Sequence, residues 1–305
     1  MVRVLLIGCG QWGKNYIRTV NESRLGIIEQ VLTSKSHGVR GEPLAGAALR
    51  NDSYEIEKTD LLGSVGLQGI EAAIVSTHPP ATAAYTISLL KRGIHVMAEK
   101  PFTFCESTLD IVEDILTRNP SLVFLVNHQH LFSHAVSKIR DLFGTIPITH
   151  FDVSAGGLGP FRTYRPSLDY GPHDYSLLQY LTDGSVELDL YKCIVENGGM
   201  REELRIRVQP NVTGTTVFWN NKRPKTHRVH LSFGTTRVTY DDYDAAGRIK
   251  VDGATLPCPY SPPLTLAVSA FLSKVRDPQS RNDKRFGLLP IKNYAALMSK
   301  IANLT

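Results

Sequence analysis

The chain has few cysteines, no long apolar run and no block of like charges. Its 4 cysteines, among 305 residues, are widely spaced and form no Cys-x-x-Cys pair, so neither a disulfide framework nor a zinc knuckle is indicated. No segment reaches the roughly 18 apolar residues that a transmembrane helix needs. The 34 basic and 29 acidic residues are interspersed, a distribution that does not indicate nucleic-acid binding. We therefore expect a cytoplasmic protein that binds neither nucleic acid nor membrane.

The length and texture of the sequence predict two domains. A chain of 305 residues exceeds the usual size of one compact core, and its 42% of hydrophobic residues is ordinary for a globular protein. Apolar and amphipathic segments alternate up to about residue 145, whereas a two-residue alternation follows. We place one domain at 1–126 and another at 127–305, with the C-terminal helix, 289–303, as a candidate for packing back on the first.

These patterns predict an α/β domain with a parallel sheet, followed by an α+β domain with an open-faced, mostly antiparallel sheet. The predicted strands of the first domain are 2–8, 27–33, 71–77, 94–100 and 122–127, its helices are 12–20, 82–91 and 107–116, and a short helix and a short strand are expected within 36–62. In the second domain the predicted strands are 203–209, 213–219, 227–233 and 235–241, and the helices are 172–181, 264–275 and 289–301.

A glycine loop, Gly8-Cys9-Gly10-Gln11-Trp12-Gly13, follows the first strand and opens the first helix. In this context Gly8 permits a tight turn, Gly10 lets a pyrophosphate approach the backbone, and Gly13 lets the helix pack closely. The N–H groups at the helix start attract the anion. The sequence therefore predicts a Rossmann domain that binds a dinucleotide, with a strand-to-helix turn without ligand as the alternative.

The end of the second predicted strand bears on the choice of dinucleotide. NAD-specific proteins have a carboxylate there, which accepts the ribose 2′-hydroxyl. This chain has Ser34 and Lys35 instead, and a hydroxyl with an ammonium group favours a 2′-phosphate. We expect NADP in preference to NAD, unless Lys35 is merely a surface residue.

A charged pair, Glu99 and Lys100, ends another predicted strand, at the edge where parallel sheets bind ligands. A partly desolvated Lys100 can donate a hydrogen bond or a proton to a carbonyl oxygen, and Glu99 can tune its pKa. The alternative is a strand end with a surface ammonium group.

Four motifs together resemble the Gfo/Idh/MocA family of NAD(P)-dependent oxidoreductases: GCGQWG near residue 8, STHPP near 76, MAEKPF near 97 and DYGPH near 169. The resemblance implies that Lys100, Asp169 and His173 are catalytic. It also implies a homodimer or homotetramer formed through the C-terminal sheet. The resemblance further implies cofactor contacts at Thr77, His78 and Pro80 and at Glu99 and Lys100. It places His128 and Gln129 where the family lines the nicotinamide pocket, and these two are candidate substrate-binding residues. Gln11 and Trp12 of the glycine loop are also candidate cofactor contacts.

The residues around His173 give that assignment independent support. If Pro172 is the first helical residue, Gly171 caps the helix and His173 lies in its first turn, where the helix dipole disfavours the imidazolium. Asp169 could orient the ring, although capping by Asp169 and simple packing of His173 are the alternatives.

Two further groups of residues concern the substrate and a metal. Arg162, Tyr164 and Arg165 could recognise an anionic substrate, or could form a solvated loop. His128, His130 and His134 are close in sequence but have no matching carboxylate or cysteine set nearby, so we expect no metal.

The sequence thus predicts an enzyme that transfers a hydride between nicotinamide and a carbinol or carbonyl of a sugar, a cyclitol or a related small substrate, which could be anionic or nucleotide-linked. One alternative is an imine or enone-type reductase of a biosynthetic pathway on the same fold. The other is a non-catalytic dinucleotide-binding sensor.

Overall fold

The computed structural model describes residues 1–33, 62, 66–158, 165–196, 199–208, 212–221, 223–245, 247–280 and 283–303. These residues form two compact units. The first unit comprises Met1–Asn127 with Leu264–Leu289, and the second comprises His128–Pro263 with Pro290–Thr305, each within its described part. Among the described residues, none of the helices has the length and apolar character of a transmembrane span.

The N-terminal part of the first unit is a parallel sheet with helices between its strands. Its elements are β1 (Val2–Ile7), α1 (Gln11–Ser23), β2 (Gly26–Leu32), β3 (Ala72–Val75), α2 (Pro79–Lys91), β4 (His95–Ala98), α3 (Glu106–Arg118) and β5 (Phe124–Val126). The strand order is β2-β1-β3-β4-β5, and every pairing is parallel. β3 is buried along its whole length, as expected for a parallel strand covered on both faces. The predicted parallel Rossmann sheet is confirmed.

The register of this sheet brings the carboxyl ends of four strands into line. Ile7 of β1 pairs with Val75 of β3, Val75 pairs with Ala98 of β4, and Ala98 pairs with Val126 of β5. The residues that follow these strands therefore share one edge of the sheet, which is the edge where ligands of such sheets bind.

The described residues after Val126 form a second, larger sheet and five α-helices. Its elements are α4 (His134–Phe143), β6 (His150–Gly156), α5 (Pro166–Asp169), α6 (Gly171–Thr182), β7 (Val186–Glu196), β8 (Gly199–Val208), β9 (Val212–Trp219), β10 (Thr226–Phe233), β11 (Thr236–Asp241), β12 (Ile249–Val251), β13 (Ala254–Thr255), α7 (Pro263–Arg276) and α8 (Leu289–Ala302). The eight strands follow the order β13-β12-β11-β10-β6-β9-β8-β7. All neighbours are antiparallel except β6 and β9. The predicted mostly antiparallel sheet is confirmed.

The sequence did not predict α4, α5, β6, β7, β12 or β13. β7 could not be predicted from its pattern of apolar residues. It is an edge strand that pairs with β8 alone among the described strands. Its apolar residues Leu190 and Val195 are 62% and 74% exposed, so the strand has no clean alternation of buried and exposed side chains. The helix and strand expected within 36–62 lie outside the described residues, apart from the buried Leu62.

The two C-terminal helices belong to different units. α7 lies in the first unit, where the side chain of Leu272 packs so closely on β2 that a Cβ atom on Gly26 would lie 3.2 Å from its Cδ1. From Pro290 onward, α8 lies in the second unit, where the Tyr294 hydroxyl hydrogen-bonds His128 Nε2 at 2.9 Å. The division at residues 126 and 127 and a packing of α8 on the first domain stay predictions.

The packing of α7 in the first unit leads to a stability prediction. Leu272 is 0% exposed, so Leu272→Ala should lower the free energy of unfolding by about 2–5 kcal/mol, through lost burial and a residual cavity. Ile111→Ala in the same unit is the control, because Ile111 is 41% exposed. Urea denaturation followed by circular dichroism measures both variants, and equal effects would contradict the assignment of α7 to this core.

Candidate functional site

The glycine loop after β1 is packed tightly at two of its three glycines. Gly8 has a φ of 91°, and a Cβ atom there would lie 2.2 Å from Ser76 O. A Cβ atom on Gly13 would lie 2.2 Å from Gly8 O. These two positions therefore require glycine, because a side chain would collide with backbone atoms.

Gly10 differs because nothing among the described atoms lies within 4 Å of the position that its Cβ would occupy. Gly10 is the N-cap of α1, and the first turn of that helix contains no acidic residue. Trp12 in this turn is 36% exposed, and the side chain of Gln11 lies outside the described part. The open space, the N–H groups and the positive end of the helix dipole fit the pyrophosphate of a dinucleotide.

Thr77 lies beside the glycine loop, since its Cγ2 atom would be 3.0 Å from a Cβ atom on Gly8. Its hydroxyl lies 2.9 Å from that of Thr82 in α2. His78 is the N-cap of α2, and Pro80 is in its first turn. His78 and Pro80 are exposed. Their cofactor contacts stay predictions.

A buried hydrogen-bond network holds the end of β4. Glu99 Oε1 accepts hydrogen bonds from the Tyr16 hydroxyl and, at 2.8 Å, from Asn127 Nδ2, and Asn127 Nδ2 also donates to the Tyr16 oxygen at 2.7 Å. Glu99 Oε2 accepts from the backbone N–H of Lys100 at 3.1 Å. Glu99, 7% exposed, thus connects α1 with the ends of β4 and β5 and fixes the backbone at Lys100.

The surroundings of Glu99 shift the pKa of its carboxyl group. Burial raises the pKa of the Glu99 carboxyl, and the hydrogen bonds from Tyr16 and Asn127 and the charge of Lys100 offset part of that rise. Burial, together with the charge of Glu99, raises the pKa of the Tyr16 hydroxyl well above its ordinary value. The effect that the sequence suggested for Glu99 on the Lys100 side chain stays a prediction. The structure shows that the backbone N–H of Lys100 donates a hydrogen bond to Glu99 Oε2.

Asp169 and His173 flank the junction of α5 and α6. Asp169 is the last residue of α5, and Tyr170 links the helices with helical dihedral angles, φ −84° and ψ −41°. The expectation that Gly171 caps the second helix was wrong, because Gly171 is its first residue and Tyr170 is its N-cap. His173 does lie in the first turn, but its N–H already bonds Tyr170 O at 3.1 Å.

His173 belongs to a cluster of aromatic rings in the second unit. Its ring centroid lies 4.9 Å from that of His130 and 6.3 Å from that of His128, both in edge-to-face arrangements. His128 is 1% exposed. Gln129, which is partly exposed, starts a short 3-10 turn, Gln129–Phe132. The structure therefore brings His173 together with two histidines that sequence reasoning placed near the nicotinamide or weighed as metal ligands.

Sequence reasoning assigned no role to two buried residues near these rings, His227 and Asp174. His227 Nε2 lies 2.8 Å from Asp174 Oδ1, and the two residues are 6% and 0% exposed. Burial lowers the pKa of His227, but the charge and hydrogen bond of Asp174, with smaller effects from Asp242 and Asp241, raise it more, so that the net pKa is raised. The sequence signal was the alternation of β10, which turns His227 to the same face as the buried Val229.

Arg165 makes contacts inside the second unit. Its Nη1 atom donates to the Tyr191 hydroxyl at 2.7 Å and lies 3.8 Å from Glu202 Oε1. Glu202 is 0% exposed, so part of the charge of Arg165 balances a buried carboxylate. Arg162 and Tyr164, which were predicted with it to bind substrate, lie outside the described residues, as do Ser34 and Lys35. A substrate contact of Arg165 stays a prediction.

Lys100 lies in the first unit, whereas Asp169 and His173 lie in the second. Their convergence on one bound nicotinamide stays a prediction.

A parallel sheet with a glycine loop at the start of its first helix defines the class of Rossmann-fold dinucleotide-binding proteins. Residues 2–127 match the family model GFO_IDH_MocA, described as an oxidoreductase family with an NAD-binding Rossmann fold. Residues 2–127 are thus similar to the Gfo/Idh/MocA family of oxidoreductases, and the resemblance drawn from the motifs is confirmed for this part of the chain.

Solved structures share the fold over nearly the whole chain. A crystal structure of a putative oxidoreductase from Magnetospirillum magnetotacticum has a TM-score of 0.76 at 23% identity and covers 98% of this chain and 97% of its own. The myo-inositol 2-dehydrogenase of Lactobacillus plantarum has a TM-score of 0.73 at 14% identity, with coverages of 99% and 97%. A mutant of KijD10, a 3-ketoreductase from Actinomadura kijaniata in complex with TDP-benzene and NADP, has a TM-score of 0.74 at 15% identity, with coverages of 98% and 96%. A comparison with curated protein sequences found no match.

The contrast between two glycines gives a prediction for cofactor binding. Gly10→Ala should leave the melting temperature close to that of the wild type, since its Cβ meets no described atom within 4 Å. It should weaken NADPH binding by about tenfold or more, because the methyl group occupies the space offered to the pyrophosphate. Fluorescence titration with NADPH measures the affinity. Gly8→Ala is the comparison, and it should instead lower the melting temperature. Undiminished NADPH affinity in Gly10→Ala would contradict the assignment of the loop.

The raised pKa of Glu99 gives a prediction for pH dependence. The folded state holds this proton more strongly than the unfolded state, so stability falls as pH rises from the ordinary glutamate pKa of about 4.3 through the raised pKa. Glu99→Gln cannot titrate and should lack this loss. The free energy of unfolding of the wild type relative to Glu99→Gln should therefore decrease with rising pH in that window. Urea unfolding across a pH series measures it, and parallel curves would refute it.

Proposed function

We propose that this chain is an NAD(P)-dependent dehydrogenase or reductase that acts on a carbinol or carbonyl of a sugar, a cyclitol or a related small substrate. The observation that carries the proposal is the glycine loop, in which Gly8 and Gly13 are closed by backbone contacts while Gly10 leaves space at the start of α1. The match of residues 2–127 to an oxidoreductase family with an NAD-binding Rossmann fold supports it.

The chemistry of the proposal divides between cofactor and protein. When bound, the nicotinamide supplies or accepts the hydride. Lys100 would hydrogen-bond the substrate oxygen and, with His173, would move the proton that leaves or joins it. Asp169, four residues before His173, would orient these groups. The hydrogen bond from Lys100 N to the buried Glu99 supports a fixed position for Lys100.

Two structural neighbours support this substrate class. One acts on myo-inositol, a cyclitol, and another is a 3-ketoreductase crystallised with a thymidine diphosphate compound. An anionic or nucleotide-linked substrate is therefore included, with Arg162, Tyr164 and Arg165 as its proposed contacts. We propose NADP as the preferred cofactor because Ser34 and Lys35 replace the carboxylate that NAD-specific proteins use.

We also propose that the protein acts as a homodimer or homotetramer through its C-terminal sheet. The exposed Leu190 and Val195 on the edge strand β7 support this assignment, since exposed apolar side chains are common where subunits meet.

Substitution of Lys100 tests the proposed chemistry. Lys100→Ala should lower turnover by roughly a hundredfold or more while leaving NADPH affinity nearly unchanged, because a general acid contributes about that much to the rate. Lys91→Ala is the matched control, since Lys91 is an exposed residue at the end of α2. Loss of absorbance of the reduced nicotinamide, measured with a panel of ketosugars, inosose and nucleotide-linked ketosugars, reports turnover.

Four outcomes of this assay test the hypotheses. Turnover of imines or enones alone would favour a reductase of that kind on the same fold. NADPH binding without turnover of any substrate would favour a sensor. Wild-type turnover in Lys100→Ala would remove Lys100 from the mechanism, and faster turnover with NADH than with NADPH would contradict the preference for NADP.

A further inference from the structure

Two histidines and an aspartate converge in the second unit, although they are far apart in the sequence. One ligand atom from each of His130, His227 and Asp242 lies within 4.8 Å of the others. His130 Nδ1 is 4.0 Å from Asp242 Oδ2, and the ring centroids of His130 and His227 are 4.3 Å apart. The three residues come from the 3-10 turn after β5, from β10 and from the turn after β11.

The cluster is enclosed. His130 and His227 are 7% and 6% exposed, and the side chain of Asp242 is 17% exposed. Exposed acidic groups are common on protein surfaces without any ligand. Two imidazoles and a carboxylate that are buried, in contrast, need hydrogen-bond or charge partners. The slight exposure of Asp242 leaves a route from solvent.

One nitrogen of the cluster has no protein partner. His227 Nε2 is hydrogen-bonded to Asp174 Oδ1 at 2.8 Å, whereas His227 Nδ1 is buried and has no hydrogen-bond partner among the described residues. Metal-binding histidines commonly bond a carboxylate through the nitrogen that does not bind the metal, which fixes the ring and its tautomer. Asp174 and His227 have this arrangement, with Nδ1 as the nitrogen left for a ligand.

Tyr240 orients the carboxylate of Asp242 by a hydrogen bond, as Asp174 orients the ring of His227. Its hydroxyl donates to Asp242 Oδ1 at 3.0 Å and lies 3.3 Å from His130 Nδ1. The other oxygen of Asp242, Oδ2, is the one that faces His130. Two of the three groups, His227 and Asp242, thus have an outer partner that orients them, as bound metals require.

The charges of the cluster also favour a cation. Asp174 and Asp242 bring two negative charges to a buried region in which the two imidazoles are neutral when they act as ligands. A divalent ion balances these charges, and its ligands are then those that first-row transition metals and zinc prefer, imidazole nitrogen with carboxylate oxygen.

We propose that His130, His227 and Asp242 form a binding site for a divalent transition metal ion such as Zn²⁺. Bond lengths of about 2.0–2.2 Å require the ligand atoms to close by roughly 1 Å from their present separations, through side-chain rotation. Three protein ligands leave a coordination position for water or for a substrate oxygen. The ring of His173 packs on His130 with 4.9 Å between centroids, so the ion lies next to the proposed catalytic histidine.

The site was not expected from the sequence, because only histidines adjacent in the chain, His128, His130 and His134, were weighed as ligands. His227 and Asp242 follow His130 by about a hundred residues and reach it only through the fold of the second sheet. The metal site does not depend on the proposed reaction, since binding can be measured without substrate.

The test is a direct measurement of metal binding to the whole chain. Protein treated with a chelator and dialysed is titrated with Zn²⁺ in competition with a chromophoric chelator, and with Co²⁺ while visible absorption is recorded. We expect one Zn²⁺ per chain with a Kd in the micromolar range or below, and Co²⁺ bands typical of nitrogen and oxygen ligands in four- or five-fold coordination. Zn²⁺ should also raise the melting temperature.

Asp242→Asn is the decisive variant, because an amide can still accept the Tyr240 hydrogen bond while it binds metal poorly. It should weaken Zn²⁺ binding at least tenfold and remove the rise in melting temperature. Asp152→Asn is the matched control, since Asp152 forms an exposed pair with His150 at 3.2 Å, and it should bind as the wild type does. Wild-type protein that binds no Zn²⁺ at micromolar concentration, or equal affinity in Asp242→Asn and Asp152→Asn, would overturn the proposal.

Discussion

The candidate cofactor site depends on one constraint, the alignment of the carboxyl ends of β1, β3 and β4. The parallel register places Gly8, Ser76 and Glu99 just beyond paired strand ends. Gly8 and Ser76 then approach so closely that a Cβ atom on Gly8 is excluded. Glu99 is withdrawn from water and bonded to Tyr16 of the first helix. Strand register therefore sets the position of the glycine loop, the start of α1 and the backbone of Lys100.

Two of the buried carboxylates among the described residues, Glu99 and Asp174, are accommodated by different chemistry. Glu99 has neutral hydrogen-bond donors around its oxygens, so burial dominates and its pKa is raised. Asp174 instead faces His227, whose net pKa it raises despite burial. The first arrangement holds the backbone of Lys100 in place. The second fixes the ring of His227 through its Nε2 atom.

Much of the first unit could be predicted from the sequence, because its signals are local. Continuous apolar strands, the spacing of Gly8, Gly10 and Gly13 and the Glu99-Lys100 pair each lie within a few residues. The second unit was harder to predict. β7 is exposed on an edge, and the start of α6 depended on whether Tyr170 continues a helical turn. The hydrogen-bonded pair of Asp174 and His227 joins residues that are 53 positions apart in the sequence. Such pairings arise from sheet topology, which periodicity alone does not specify.

The two units also differ in the kinds of group that they offer to a ligand. The dinucleotide site is made of glycines, backbone N–H groups and a helix dipole, features that many proteins share and that say little about substrate. The cluster of the second unit is made of side chains, since His130, His173 and His227 and the carboxylates around them each contribute a titratable or ligating group. Such side chains can differ between proteins with different substrates without disturbing the parallel sheet. The side chains that differ most in chemistry from the shared glycine loop therefore lie in the second unit, where His130, His173 and His227 meet.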